Sequence, residues 1–314
     1  MRSVWRGFAA VMMLGASPAM AQQAAPLTPA EVAKIKTEVA SALQDYMKAF
    51  SAQDSKAVAQ VIYSKPGITL SDQGVQLIDP AQQEVSNAGF IKKLVESGWV
   101  RTETPDVTVC VLNPYAAIGS GKYIRYKKDG SVHSEGGGVN FYSKTPQGWK
   151  MVTRINTAAN KIVTCEDGTK PNHGGTPDVV KAKQDVIAAV RNYMTQYSAR
   201  NAKAVAHEVY SKPGLQFGPN GVTLIDPDKQ EASTAVRIKE AIAEGWDKST
   251  FPNPSACILN PYAAIVSGAF HRHDKAGKVI AEGGETDLFV KTAQGWKMIS
   301  LIGTVPSKVA TCND

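Results

Sequence analysis

Four cysteines, Cys110, Cys165, Cys257 and Cys312, and five histidines are the side chains best suited to redox or metal chemistry in this 314-residue chain. A metal centre needs Cys and His clustered at short spacing, and the cysteines stand far apart with no CxxC among them. Disulfides are their expected chemistry, in an exported chain and an oxidising compartment. His271 and His273 share one face of a strand, but two ligands do not make a site, so no metal is expected. No Ser-His-Asp or Cys-His set emerges. Arg125 and Glu135, matched by Arg272 and Glu282, sit at mirrored distances from a hairpin turn. They read as a cross-strand ion pair worth roughly 0.2–1 kcal/mol, or as a polar anchor at a pocket mouth. Asp72, beside Gln73 and Gly74, reads as a turn residue.

The elements that must position these groups come twice. A shift of 147 positions lays one half of the chain on the other: Cys110 falls on Cys257, Cys165 on Cys312, and Leu77-Ile78-Asp79-Pro80 on Leu224-Ile225-Asp226-Pro227. Leu112-Asn113-Pro114-Tyr115-Ala116-Ala117 and Gly148-Trp149-Lys150-Met151 recur in the same way. The period is too long for a solenoid unit and suits a domain with its own core. Four cysteines allow three pairings, and a duplicated domain that once folded alone selects Cys110 with Cys165 and Cys257 with Cys312.

The first residues read as a signal peptide over 1–21: Arg2 and Arg6, an apolar run over 7–14, and Ala19-Met20-Ala21. A tail over 22–30, a first domain over 31–165, a linker over 166–177 and a second domain over 178–314 follow. No apolar stretch reaches the roughly 20 residues of a membrane span, so a periplasmic or secreted protein without a transmembrane segment is expected. The formal charge of +7 drops to +5 without Arg2 and Arg6, and no run of lysines forms a nucleic-acid footprint.

Within a copy, Val32, Ile35, Val39, Leu43, Tyr46 and Phe50 recur at helical spacing, as do Val186, Val190, Tyr193 and Tyr197. Asp54 is expected to cap a short second helix ending at Tyr63, followed by a hairpin at Asp72-Gln73-Gly74 and a third helix over 87–97. From Trp99 the period becomes two, with Val107, Val109 and Val111 on one strand, a long hairpin over 117–127 and 132–144, and a last strand over 148–155. Three helices, then a meander of four antiparallel strands, make an α+β domain.

Helix with Tyr46, Phe50-Ser51-Ala52-Gln53-Asp54, short helix, glycine hairpin, third helix and strands ending in Gly148-Trp149-Lys150 resemble the nuclear transport factor 2-like superfamily, in its SnoaL-like and ketosteroid isomerase-like branches. The resemblance implies two cones, each a curved sheet around three helices with an apolar pocket at the wide end, and pairing through the sheet faces. It implies catalytic candidates at Tyr46 and Tyr193 on the first helices, at Asp287 on a strand where the first copy has Asn140, and at Asp72 on the early hairpin, where the second copy has Pro219. Neither copy holds the full set. Trp99 and Trp246 are candidates for the pocket lining along with Tyr46, Asn140, Tyr193 and Asp287.

The expected function is an exported tandem pocket domain that binds a small apolar molecule or a partner without catalysis and without a cofactor. Two alternatives stand beside it: an isomerase- or cyclase-like enzyme moving a proton next to a carbonyl, and an interaction module with vestigial pockets. The two copies are expected to pack on each other, and the second is the better candidate for a ligand or proton-transfer site.

Overall fold

The computed structural model describes residues 26–165 and 173–313. The expected signal peptide, most of the tail after it and the first part of the linker lie outside the described residues.

Helix α1, Pro29–Ser51, is opened by a reciprocal cap: Glu31 N–H donates to the Thr28 hydroxyl, and Thr28 N–H donates to the Glu31 carboxylate at 2.8 Å. Its Ile35, Val39, Leu43, Tyr46, Met47 and Phe50 face the core. The chain turns through Gln53 in the left-handed region, and Asp54 accepts from Ala57 N–H at 2.8 Å to start α2, Ser55–Ala57, which runs into a π-helical turn over Val58–Ile62. The hairpin of β1, Ile68–Ser71, and β2, Gly74–Leu77, leads to α3, Pro80–Glu96. This helix starts seven residues earlier than expected, because Asp79 accepts from the N–H groups of Ala81 and Gln82 and Pro80 suits the first helical position.

Strands β3, Trp99–Glu103, and β4, Thr108–Asn113, both pair with β5, Ala116–Lys127, followed by β6, Val132–Thr145, and β7, Gly148–Thr157. The sheet thus has one strand more than expected: the residues between Trp99 and Val107 pair with the far end of β5. Register shifts at Val111/Asn113 and Phe141/Tyr142 bend the sheet around α1. Gly136 allows the Tyr123 ring to lie flat across β6, since a Cβ there would sit 2.2 Å from the phenolic oxygen. After β8, Val163–Thr164, the second copy repeats the order as α4, Pro177–Ser198; α5, Ala202–Ala204, with a π-helical turn over Val205–Val209; β9, Leu215–Gly218; β10, Gly221–Leu224; and α6, Pro227–Ala243. Strands β11, Lys248–Thr250, β12, Ser255–Asn260, β13, Ala263–His273, β14, Val279–Thr292, β15, Gly295–Thr304, and β16, Thr311–Cys312, complete it.

Each sheet has two buried faces. One covers its own helices, through clusters around Val39, Leu43 and Trp99 in the first copy and Val186, Val190 and Trp246 in the second. The other meets its twin in a single core that holds Ile118, Phe141 and Ile155 with Ile265, Leu288 and Ile302. Both disulfides, Cys110–Cys165 and Cys257–Cys312, lie inside this shared core. Asn113 donates to the Gly303 carbonyl at 2.9 Å, Asn260 donates to the Asn156 carbonyl at 3.1 Å, and β8 pairs with β16. Among the described residues, no helix is long and apolar enough to cross a membrane.

Candidate functional site: the two cone interiors

Strand alternation decides which side chains enter each cone. On β6, Gly138, Asn140 and Tyr142 face the helices, while Val139 and Phe141 belong to the shared core. In the second copy, Glu285, Asp287 and Phe289 occupy the equivalent inner face of β14. The neighbouring strands add Tyr123, Arg125 and Arg154 to the first cone and Phe270, Arg272 and Leu301 to the second.

A cavity of about 140 Å³ opens in the second cone. Tyr193 and Tyr197 of α4 and Tyr210 line it, with Glu285 on the sheet side and Arg237 of α6 and Arg272 of β13 on its walls; Met194, Leu215, Phe270 and Leu301 supply apolar surface. Glu285 is 2 % exposed and Asp287 is sealed behind it at 0 %. Beyond the hydrogen bond that the two carboxyls share with each other, neither Asp287 oxygen nor Oε1 of Glu285 has a partner.

Burial disfavours the charged form of both acids and pushes Glu285 up to about 8. Asp287 is raised well above its ordinary value, first by burial and then by the adjacent Glu285 carboxyl. The two titrate as a pair. Glu285 is therefore protonated near neutral pH and presents an O–H donor to the cavity. Tyr193 and Tyr210 are also raised, mainly by burial, and keep their phenolic protons. This arrangement can hold a carbonyl or alkoxide oxygen and exchange a proton with what it holds.

Sequence reasoning singled out Asp287 and missed Glu285, the acid that reaches the cavity. The signal was present: acids two residues apart in a strand project to the same face. Tyr193 lines the cavity, with Tyr210 and Glu285 acting on it more strongly than any other ionisable groups, but makes no hydrogen bond to Asp287 within the described contacts. Tyr46 occupies the same place in the first cone, under the Arg154 guanidinium at 5.1 Å. Asn140 is 1 % exposed and directly opposite Arg154 across the β6–β7 ladder.

Trp99 and Trp246 pack on Phe50 and Tyr197 at 5.4 Å, and their indole N–H groups donate to Thr102 and Ser249 at 3.0 Å. Neither borders the second-cone cavity. Asp72 is exposed in its hairpin turn, where the adjacent Gly74 approaches Thr292 of the other copy. The expected Arg125–Glu135 pair is not formed. Glu135 stands opposite Ile124 and pairs with Lys122 at 2.8 Å on the outer face, whereas Arg125 points inward over the rings of Tyr123 and Phe90. His271 faces Glu282 at 3.4 Å and His273 meets Thr250 at 2.9 Å; among the described residues no group of three metal-ligating side chains forms.

A family model described as NTF2-like protein (DUF6841) matches the chain twice, over residues 37–159 and 183–305. Among solved structures, the chain is similar to an NTF2-like protein with a cystatin-like fold from Novosphingobium aromaticivorans, at 16% identity over 41% of this chain and 84% of that one, TM-score 0.35. It is also similar to an NTF2-like superfamily protein from Salmonella enterica, at 14% identity over 40% and 92%, TM-score 0.31. A third is an NTF2-like protein of unknown function from Shewanella oneidensis, at 13% identity over 38% and 96%, TM-score 0.30. No curated protein matches the chain.

Proposed function

From the premise that the chain belongs to the NTF2-like family DUF6841 in both of its halves, we propose that it is an exported binding protein whose second cone takes a small apolar molecule bearing a carbonyl oxygen. One observation carries this reading. Glu285 brings a buried carboxyl, with no hydrogen-bond partner at Oε1 beyond the neighbouring acid, to a cavity otherwise lined largely by rings and aliphatic side chains together with Arg237 and Arg272. Buried polar groups are normally satisfied, so a ligand that accepts from the protonated Glu285 removes a cost that the empty cone carries. Phe270, Leu301 and Met194 suit the apolar body, and Tyr193 adds a further donor. Export is supported by the two disulfides and by the N-terminal pattern of Arg2, Arg6 and Ala19-Met20-Ala21.

The test is calorimetric titration of acetophenone into the oxidised protein between pH 6 and pH 10. Affinity is expected to fall as pH rises through about 8, where Glu285 loses its proton, and the Glu285→Leu variant is expected to bind at least tenfold more weakly at pH 6. Binding that is indifferent to both pH and Glu285 would overturn the proposal.

A second reading, proton transfer next to the ligand carbonyl, is favoured by Glu285 alone, because an acid that lines a cavity and titrates near neutrality suits a general acid or base. Exchange of the acetophenone methyl protons with deuterated solvent, followed by NMR, separates the two. Exchange faster than in buffer and lost in Glu285→Gln would identify an enzyme, and exchange at the buffer rate a binding protein.

A further inference from the structure

The first cone is built around a cation. Arg154 of β7 projects inward with its guanidinium over Tyr46 at 5.1 Å and Tyr123 at 5.4 Å, and its Nη1 is buried without a hydrogen-bond partner. Arg125 enters from β5 over Tyr123 at 4.7 Å and Phe90 at 5.5 Å, and its Nε is likewise buried and unpartnered. The positions that hold acids in the second cone are Gly138 and Asn140 here; a Cβ at Gly138 would lie 3.5 Å from Arg154 Nη1, close to where a carboxylate would neutralise it. Two acids on the elements that form this cone are committed elsewhere, Glu135 to Lys122 and Glu38 to Lys144 and Trp149.

The ionisable groups acting most strongly on Arg154 are four tyrosines, 46, 63, 123 and 142. Burial raises Tyr63 and Tyr142, so their hydroxyls stay protonated and serve as donors. The hydroxyl of Tyr142 is buried with no partner. Ring faces attract a guanidinium by about 0.5–2 kcal/mol, less than the several kcal/mol that removing an ion from water costs. Tyr63, Tyr123, Arg125 and Arg154 are each only half-buried, so solvent reaches this interior.

We infer that the first cone is an oxyanion site, taking a small carboxylate carried on an aromatic or apolar body. The carboxylate accepts from the planar guanidinium of Arg154 and the Tyr142 hydroxyl, with Arg125 adding positive charge, and the tyrosine rings with Phe90 flank the body. This site is separate from the one proposed in the second cone and stands or falls without it.

The experiment titrates sodium benzoate, and in a second arm inorganic phosphate, into the oxidised full chain, with the wild type, Arg154→Leu, Asn140→Asp and the surface control Lys92→Gln. Arg154→Leu places the second copy's residue in the first cone, and Asn140→Asp supplies an internal counter-ion directly across the ladder. Arg154→Leu removes the uncompensated charge and Asn140→Asp neutralises it, so both are expected to fold with a melting temperature no lower than that of the wild type. One benzoate per chain is expected to bind, at least tenfold more weakly in both cone variants and with unchanged affinity in Lys92→Gln, whose side chain is 78% exposed. Affinity is expected to stay level from pH 6 to pH 9, since a guanidinium keeps its proton throughout. Benzoate binding that survives Arg154→Leu, or no binding at all, would overturn the site. Phosphate binding at Arg154 in the absence of benzoate binding would overturn the carboxylate assignment.

Discussion

In the first cone an arginine on the last long strand, Arg154, stands opposite Asn140; in the second an aspartate on the preceding strand, Asp287, stands opposite Leu301. The paired positions are the same, and an arginine facing an aspartate there would neutralise itself. Each copy holds one half of such a pair and an uncharged residue at the other position. The scaffold around these positions has hardly changed: both copies keep the Asp-Pro start of the third helix, the tryptophan on the first-helix aromatic, the asparagine that bridges to the other copy, and the disulfide. The fold therefore tolerates either charge state inside the cone and requires neither. Buried groups left without partners lower stability, so the difference between the cones is a difference in which charge each interior holds uncompensated.

The shared framework sets the largest expected effect. Replacing Cys110 and Cys165 together with alanine is expected to lower stability by about 2–5 kcal/mol. Because both bridges lie in the core common to the two sheets, the melt should shift as one cooperative transition. A first copy that unfolds alone, with the second copy's transition unmoved in calorimetry, would show that the cores are independent.

The cones should part company in their response to pH. Glu285 and Asp287 have folded-state affinities for protons raised above those of the unfolded chain, so between about pH 4 and pH 8 the folded state binds more protons. The stability they allow is fully present below their unfolded values near pH 4 and is lost as pH rises through their folded values. Unfolding in urea should accordingly require at least about 2 kcal/mol less at pH 8.5 than at pH 5. The double variant Glu285→Gln, Asp287→Asn should lose most of that slope. Arg154→Leu in the first cone should leave the slope as it is, because arginine does not titrate in this range. A slope that persists in the double variant would place its origin elsewhere.

The outer faces should show the smallest effect. Lys122 and Glu135 are roughly 40 % exposed at 2.8 Å, and Glu135→Gln is expected to cost less than about 1 kcal/mol and to disappear in high salt. A larger loss would mean that the outer pair helps to aim Arg125 inward, which comparison of benzoate binding in Glu135→Gln and wild type would reveal.

Much of the framework was legible because it depends on local chemistry repeated at a fixed offset. Asp54 announces a cap, Tyr46 and Phe50 announce a helical face, and the 147-residue repeat turns four cysteines into two intradomain bridges. The early start of α3 is also written in Asp79-Pro80, although the apolar periodicity is confined to 87–97. The cone contents were harder to read. Arg125 and Glu135 looked like partners from their distances to the turn, but the register shift between Arg125 and Tyr126 sets Arg125 against Ser134, so the two point to opposite faces.

The amino-acid sequence by itself determined that the chain is one domain written twice, the helices-then-sheet order of each copy, and the cysteine pairing. All of these follow from near-neighbour propensities and from comparing one half with the other. Only the tertiary structure decided that Glu285, not Asp287, borders the cavity, that Arg154 enters the first cone with no acid opposite, and that both disulfides share one core. The reason is physical: the state of a buried charge is set by what stands across the ladder and how much water reaches it. A one-residue bulge in a strand changes both, while leaving the spacing of residues along the chain untouched.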